Sequence, residues 1–347
     1  MNLKLRASSE DMIQELDSDA LGLSKKSAFH SPQANQLQKE FFEEEPLTEL
    51  FRRSDVTEVI INGYQNICYE AQGKLHPHTH CFPSPRSFDR FLQRIFEEAQ
   101  IKVDLEHPFV SFTWKEFRGH VALSPLSPSG TLLTFRRLKS ESPFTLEQML
   151  QMNSLTTDQL RILKEGIHSK KNILVVGGTG SGKTTLLSGC LQEASSKDRF
   201  VILEDTNEIQ IPNSMSAKLL TREASPSLPK FDLGDLLKQS LRMRPDRLVV
   251  GEVRGGEAKD LLMALSTGHQ GSFATLHASS PQEALLRLEM LIQMGAPHWS
   301  LESINKLISL TMDWIVVLKK EDGQRKLDGI HHITSLESIG FLLQKLC

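Results

Sequence analysis

The densest chemistry in the chain lies in Gly177-Gly178-Thr179-Gly180-Ser181-Gly182-Lys183-Thr184-Thr185, which carries the spacing G-x-x-x-x-G-K-[ST]. The apolar run Ile173 to Val176 precedes it and reads as a buried strand. Leu186, Leu187 and Cys190 follow on one helical face. Strand, loop and helix in that order are the context this spacing requires. Glycines let backbone N–H groups converge on phosphate oxygens with no Cβ in the way. The helix that starts here adds the positive end of its dipole. Gly178 to Gly182 and Thr185 form the expected nucleotide cradle. Lys183 is placed to reach β- and γ-phosphates, and the Thr184 hydroxyl to sit on Mg²⁺. ATP and Mg²⁺ are therefore the expected ligands. The loop alone implies binding; it implies neither hydrolysis nor what the energy drives.

Two further apolar runs end in acids. Phe200 to Leu203 leads to Glu204-Asp205, and Leu248 to Val250 leads to Gly251-Glu252-Val253-Arg254. Ligands of open parallel sheets sit at the carboxyl ends of the strands, so these residues should meet the phosphate loop. A carboxylate there can orient the attacking water or hold Mg²⁺ through water. Glu204 and Glu252 are the candidate catalytic acids, with Glu252 also the candidate Mg²⁺ partner. Arg254 can stabilise phosphoryl charge. Arg222, Arg242 and Arg244 are candidate sensor arginines, or residues supplied to a neighbouring subunit; for Arg247 a structural and a functional role stand level. Thr267-Gly268-His269-Gln270-Gly271 and Thr275-Leu276-His277-Ala278 place two histidines where loss of a γ-phosphate could be sensed, so His269 and His277 join the candidates.

The elements that must position these groups follow from periodicity. Residues 1–45 are a polar arm, residues 46–137 a small α/β domain, residues 138–150 a linker, and residues 151–347 a second domain of alternating strands and helices. In the first domain, Val56 to Asn62 and Ile67 to Glu70 read as a hairpin about Asn62-Gly63. Ser87 to Ala99 reads as a helix, and Val121 to Leu123 and Thr131 to Phe135 as strands. Thr145 with Gln148 resembles a capping box. Asp313 to Val317 with Asp322 to Arg325 reads as an edge hairpin.

Composition adds bounds. The 347 residues carry a net charge of −3, with 39% hydrophobic and 24% charged residues, an ordinary globular balance with no global field for nucleic acid. The four cysteines are scattered, which argues against zinc and disulfide frameworks and for a reducing cytoplasm. The N-terminus has no apolar core of a secretory leader, and no stretch approaches the ~18 apolar residues of a membrane span.

Taken in order, GGTGSGKTT, ILEDTNEIQI, RPDRLVVGEVRGGEA and STGHQGSFATLHA resemble the Walker A, Asp box, Walker B and His box of the type II/type IV secretion ATPase superfamily. The likeness spans roughly residues 46–335. The run from SLRMRPDRLVV to LRLEML is most similar to the CpaF-like ATPases of Tad (Flp) pili, and the conjugation-type ATPases are the nearest rival. The resemblance implies an N-terminal PAS-like α/β domain, a linker and a RecA-like ATPase domain, assembled as a homohexameric ring. It implies a cytoplasmic motor that pushes on an inner-membrane platform protein; against a third reading, a DNA translocase, stand the net charge and the lack of a nucleic-acid module, so no nucleic acid is expected as partner. Relatives carry two arginines in the N-terminal domain where this chain has Thr113 and, two residues past Arg118, His120; Arg136 and Arg137 match a basic pair at the domain exit and are candidate phosphate contacts. Two readings stay open: an active motor, and a nucleotide-binding subunit with little turnover.

Overall fold

The computed structural model describes residues 45–138, 144–194, 196–222, 229–321, 323–338 and 340–347. The arm read over 1–45, save Glu45, and residues 139–143 of the linker lie outside them. The chain divides into two compact units, Met1–Arg137 and Leu138–Cys347.

The first unit comprises α1 (Glu45–Arg52), β1 (Val56–Asn62), β2 (Asn66–Ala71), β3 (Lys74–Pro77), α2 (Pro85–Glu98), β4 (Phe109–Trp114), β5 (Phe117–Ala122) and β6 (Leu132–Arg137). Its antiparallel sheet runs β3-β2-β1-β6-β5-β4. The β1–β2 turn needs glycine at 63, where φ is +71° and a Cβ would lie 2.3 Å from the Ser129 carbonyl oxygen. Ser84 caps α2 by accepting from Ser87 N–H while Ser87 Oγ accepts from Ser84 N–H, and Pro85 opens the helix. Phe82, Phe88, Phe91, Phe112, Phe117 and Phe135 fill the core between α2 and the sheet. Strand β4, not among the strands expected from sequence, lies at the sheet edge, with Phe112 and Trp114 buried and Ser111 and Thr113 exposed. The Arg137 guanidinium gathers the carbonyls of Val56, Phe51 and Arg53 at 3.1, 2.6 and 3.0 Å, so it closes the end of α1 and the turn into β1.

The second unit comprises α3 (Leu146–Gln151), α4 (Thr157–His168), β7 (Ile173–Gly177), α5 (Lys183–Glu193), β8 (Phe200–Glu204), β9 (Ala217–Leu220), α6 (Leu233–Ser240), β10 (Arg247–Val250), α7 (Glu257–Ser266), β11 (Phe273–Leu276), α8 (Pro281–Gly295), α9 (Leu301–Thr311), β12 (Trp314–Glu321), β13 (Gln324–Glu337) and β14 (Gly340–Lys345). Its sheet runs β14-β13-β12-β7-β11-β10-β8-β9. Strands β12 to β9 of that order pair parallel, and both faces are covered, so β7, β8, β10 and β11 are buried at every residue. Leu174, Val176, Leu203 and Val250 pack with α6 to α9 on one face. Ile173, Val175, Ile202 and Val249 pack with α3, α4 and α5 on the other. Cys190 is fully buried in the second cluster, and burial pushes its thiol up to about 12, which leaves it a packing residue. Thr145 and Gln148 form the reciprocal capping box expected for α3. No described helix is long and apolar enough to cross a membrane.

One expectation is corrected. Asp313 to Val317 does not lie at the sheet edge: β12 pairs parallel with β7, from Trp314 opposite Ile173 to Leu318 opposite Gly177, and is covered on its other side by β13. Its unbroken apolar run, buried from Trp314 to Leu318, is the pattern of an interior strand.

Arg247 is 1% exposed. Its Nε donates to Asp198 Oδ2 at 2.7 Å, and its Nη1 to the carbonyls of Ile167 and Gly271 at 3.0 and 3.3 Å. It stands at the amino end of β10, the opposite end from Glu252, and joins α4, β10 and the turn before β11. Truncation leaves the Asp198 carboxylate, in a nearly dry site, with the more distant Lys170 ammonium at 3.6 Å in place of a 2.7 Å hydrogen-bonded partner. Arg247→Ala should therefore lower unfolding free energy by about 3–5 kcal/mol in urea titrations; a loss under 1 kcal/mol would refute this structural role.

Candidate functional site

In the sheet, β11 lies between β7 and β10, and β8 follows β10. The carboxyl ends of these four parallel strands therefore bring together the phosphate loop, His277, Glu252 and Glu204-Asp205. The loop adopts left-handed backbone at Gly180 (φ +70°) and Gly182 (φ +97°), where a side chain would strain it. A Cβ on Gly178 or Gly180 would meet nothing within 4 Å, so the loop faces open space.

Lys183 opens α5 and folds back over the loop. Its Nζ donates to the carbonyls of Gly177 and Gly178 at 2.9 and 3.1 Å and lies 3.4 Å from His277 Nδ1. Burial draws the Lys183 pKa down, against the attraction of Glu252. His277 Nε2 sits 2.6 Å from Glu252 Oε1. Arg254 grips the other carboxylate oxygen, with Nε at 2.8 Å and Nη2 also in contact. Its Nη1 lies 3.6 Å from Asp205 Oδ2. Glu257 fixes the Arg254 segment by accepting from the N–H groups of Arg254 and Gly255 at 2.7 and 2.8 Å. The result is one row of groups, Lys183, His277, Glu252, Arg254 and Asp205. Burial lowers the His277 pKa, Glu252 opposes, and the cations Lys183 and Arg254 reinforce the lowering. Arg254 loses water too, yet its bonds to Glu252 raise its pKa overall.

The donor set fits phosphate and a hard divalent cation. Ser181 is 2% exposed and its hydroxyl has no partner among the described residues. Glu252 Oε1 is buried and lies off the line of any hydrogen bond, so its acceptor capacity is unspent. Among the described residues the Lys183 ammonium is held by the Gly177 and Gly178 carbonyls and by His277 Nδ1, neutral acceptors that a phosphate would outcompete. Thr184 and Thr185 follow on the first turn of α5, with no side-chain hydrogen bond drawing them elsewhere among the described residues.

The other candidates are placed differently. Glu204 is 3% exposed. Its Oε1 accepts from the N–H groups of Glu208 and Ile209 at 3.2 and 2.9 Å, and Lys218 Nζ lies 3.2 Å from Oε2. Burial pushes its pKa up while Lys218 opposes. Lys218 also holds Asn207 Oδ1 at 2.6 Å, so Glu204 braces the loop after β8 and leaves Asp205 to face Arg254. His269 Nδ1 lies 2.9 Å from the Ala264 carbonyl at the end of α7 and does not touch the row. Arg222 donates to the Pro229 carbonyl and lies over the Phe231 ring, 5.1 Å from its centroid. Arg242 and Arg244 are exposed. In the first unit, Thr113, Arg118, Arg136 and Glu58 pair in succession across β4, β5, β6 and β1 and so share one face. His120 Nδ1 lies 2.8 Å from Ser111 Oγ. Arg137 donates to main-chain carbonyls and, through Nη1, to Glu116 Oε1 at 3.2 Å.

Asp205, Lys218, Glu257 and Arg325 escaped the sequence reading. Asp205 had a signal, since it follows Glu204 at a strand end and successive residues there face opposite ways. Arg325 had none: it donates to the Gly180 carbonyl at 2.9 Å across 145 positions of sequence.

Comparison with known proteins bears on this site. The chain is 34% identical to the conjugal transfer protein TrbB of Rhizobium radiobacter over 257 residues, covering 72% of this chain and 75% of TrbB. It is 36% identical over 227 residues to the protein MJ0781 of Methanocaldococcus jannaschii, covering 62% of this chain but only 31% of that longer protein. The pilus retraction motor PilT, solved with bound ADP, shares the fold, with a TM-score of 0.58 at 19% identity over 86% of this chain and 84% of PilT. The family model described as type II/IV secretion system protein matches residues 94–319, and the chain belongs to that family.

Proposed function

We propose that the protein hydrolyses ATP and uses the energy as a homohexameric motor for pilus assembly or retraction, or for secretion, from the cytoplasmic face of an inner membrane. The observation that carries this reading is the row of Lys183, His277, Glu252, Arg254 and Asp205 beside a phosphate loop held in left-handed glycine conformations. In this reading Lys183 leaves the Gly177 and Gly178 carbonyls for the β- and γ-phosphates. Glu252 orients the attacking water, and Arg254 moves from Glu252 toward phosphoryl charge. His277, between Lys183 and Glu252, registers the presence of the γ-phosphate. The Thr184 hydroxyl and Glu252, the latter through water, would hold Mg²⁺, which when bound offsets charge on the phosphates. Glu204, Arg222, Arg242, Arg244 and His269 serve by shaping loops or by meeting a neighbouring subunit. A platform protein in the membrane takes the force, and nucleic acid is not a partner.

Two features bear on the branch. The motif run from RPDRLVVGEVRGGEA onward supports a Tad-type pilus role. The likeness to TrbB over most of both chains supports a conjugation-type secretion role equally well. Arg118, beside Thr113 on the same face, offers the first unit a cation where the basic position reads Thr, which favours an active enzyme over a silent regulatory subunit.

Steady-state hydrolysis with Mg²⁺, run across protein concentrations, tests the proposal. Turnover should rise with concentration as subunits assemble. Lys183→Ala should lose nucleotide binding, whereas Glu252→Gln should keep binding and lose about 10²–10⁴-fold in kcat. ATP bound with no turnover at any concentration would defeat the autonomous-motor reading.

The pH profile offers a second check. His277 has a depressed pKa, so it is neutral at pH 7, and what the neutral ring contributes is present above the ordinary imidazole value of 6.5 and lost as pH falls through the native one. The rate should hold its plateau down to about pH 6.5 and decline only below it. An acid limb centred above that value would show that neutral His277 is not what the site requires.

A further inference from the structure

Arg325 lies near the start of β13, on the hairpin that β12 carries past the phosphate loop. The hairpin's position is set by the sheet, since Leu318 of β12 stands opposite Gly177. From there the Arg325 side chain extends over the loop. Its Cδ lies 3.3 Å from where a Cβ on Gly182 would stand, and its Nε donates to the Gly180 carbonyl at 2.9 Å. Among the described residues it has no carboxylate partner. Arg325 is exposed, and among the described residues its one side-chain hydrogen bond goes to the centre of this loop.

The carbonyl of Gly180 and the N–H of Ser181 belong to one planar trans peptide, so they point opposite ways. Drawing the carbonyl out toward Arg325 turns the Ser181 N–H inward. That N–H donates to the Gly178 carbonyl at 3.3 Å, and Lys183 Nζ reaches the same carbonyl at 3.1 Å. Two donors, one neutral and one charged, thus converge on an oxygen in the mouth of the loop. Both bonds are long, and a phosphate oxygen is the stronger acceptor.

We propose that Arg325 is a positioning residue for nucleotide binding, which holds the Gly180–Ser181 peptide with its N–H aimed at phosphate and so ties affinity to the β12–β13 hairpin. The assignment rests on the reading of the loop as a nucleotide site. It does not require Arg325 to touch the reacting atoms.

The test is equilibrium binding of fluorescent ADP and ATP analogues, with steady-state kinetics, on the full chain and on Arg325→Ala, Arg325→Lys and Lys183→Ala. Arg325→Ala should weaken ADP and ATP binding alike by about five- to tenfold, the scale of one charge-assisted hydrogen bond, and raise KM far more than it lowers kcat. Arg325→Lys keeps a donor on a long stem and should recover part of the loss. Thermal unfolding of Arg325→Ala should match the parent, because the side chain is exposed. Unchanged affinity in Arg325→Ala, while Lys183→Ala loses binding, would overturn the Arg325 assignment and leave the nucleotide reading intact. A fall in kcat with KM unchanged would overturn it as well. No binding by the parent chain would overturn both.

Discussion

Parallel pairing about β11 is the constraint on which the site depends. Phe273 to Leu276 pair with Ile173 to Val176 on one side, and Val249 and Val250 pair with Phe273 and Ala274 on the other. The chain emerging from β11 is thereby confined between the phosphate loop and Glu252, and His277 has no other place to go. A one-residue slip would send Val249 and Val250 to the wrong faces of the sheet and carry Glu252 away from His277. The core sets the register, and the register sets the chemistry. Arg247 secures the same arrangement from the amino end, where the strands begin.

The charges alternate along the row: a cation at Lys183, a neutral ring at His277, an anion at Glu252, a cation at Arg254 and an anion at Asp205. Each group touches the next, while Arg254 and Asp205 also keep part of their surface open to solvent. Such a row gives up partners readily when a more highly charged ligand arrives, because the alternatives are already within reach. Arg254 illustrates this, with Glu252 on one side and Asp205 on the other. Glu204 contrasts with it. Burial raises its pKa, and its bonds run to the N–H groups of its own loop and to Lys218, so it acts as an internal brace.

Much of this was legible in the sequence because the relevant signals are local. The phosphate loop announces itself through glycines at fixed spacing next to an apolar strand. Glu252 and His277 could be placed because each follows such a strand. What sequence could not show depends on contacts made at long range. Whether Glu204 or Asp205 faces the site depends on which way the chain turns after β8, and Lys218 decides that. Whether Arg247 is solvated or buried depends on Asp198, Ile167 and Gly271, none of them adjacent to it. Strand β12 looked like an edge because its partner β7 lies some 140 residues earlier, about the separation of Trp314 from Ile173. Strand β4 does carry a local signal, since Val110, Phe112 and Trp114 alternate with exposed Ser111 and Thr113, but the expectations from sequence left it out.

Arg137 ends the first unit, and its guanidinium is fastened to carbonyls at Phe51, Arg53 and Val56. Strand β6, which it terminates, is paired on both sides, with β1 and β5. A pull arriving along the chain from residue 138 therefore loads two strand ladders lengthwise and a multi-point clamp at once. Hydrogen bonds loaded in this way must break together, whereas a frayed strand end opens one bond at a time. The exit from the first unit is in effect an anchored tether, which resists unravelling of that unit from its last residue.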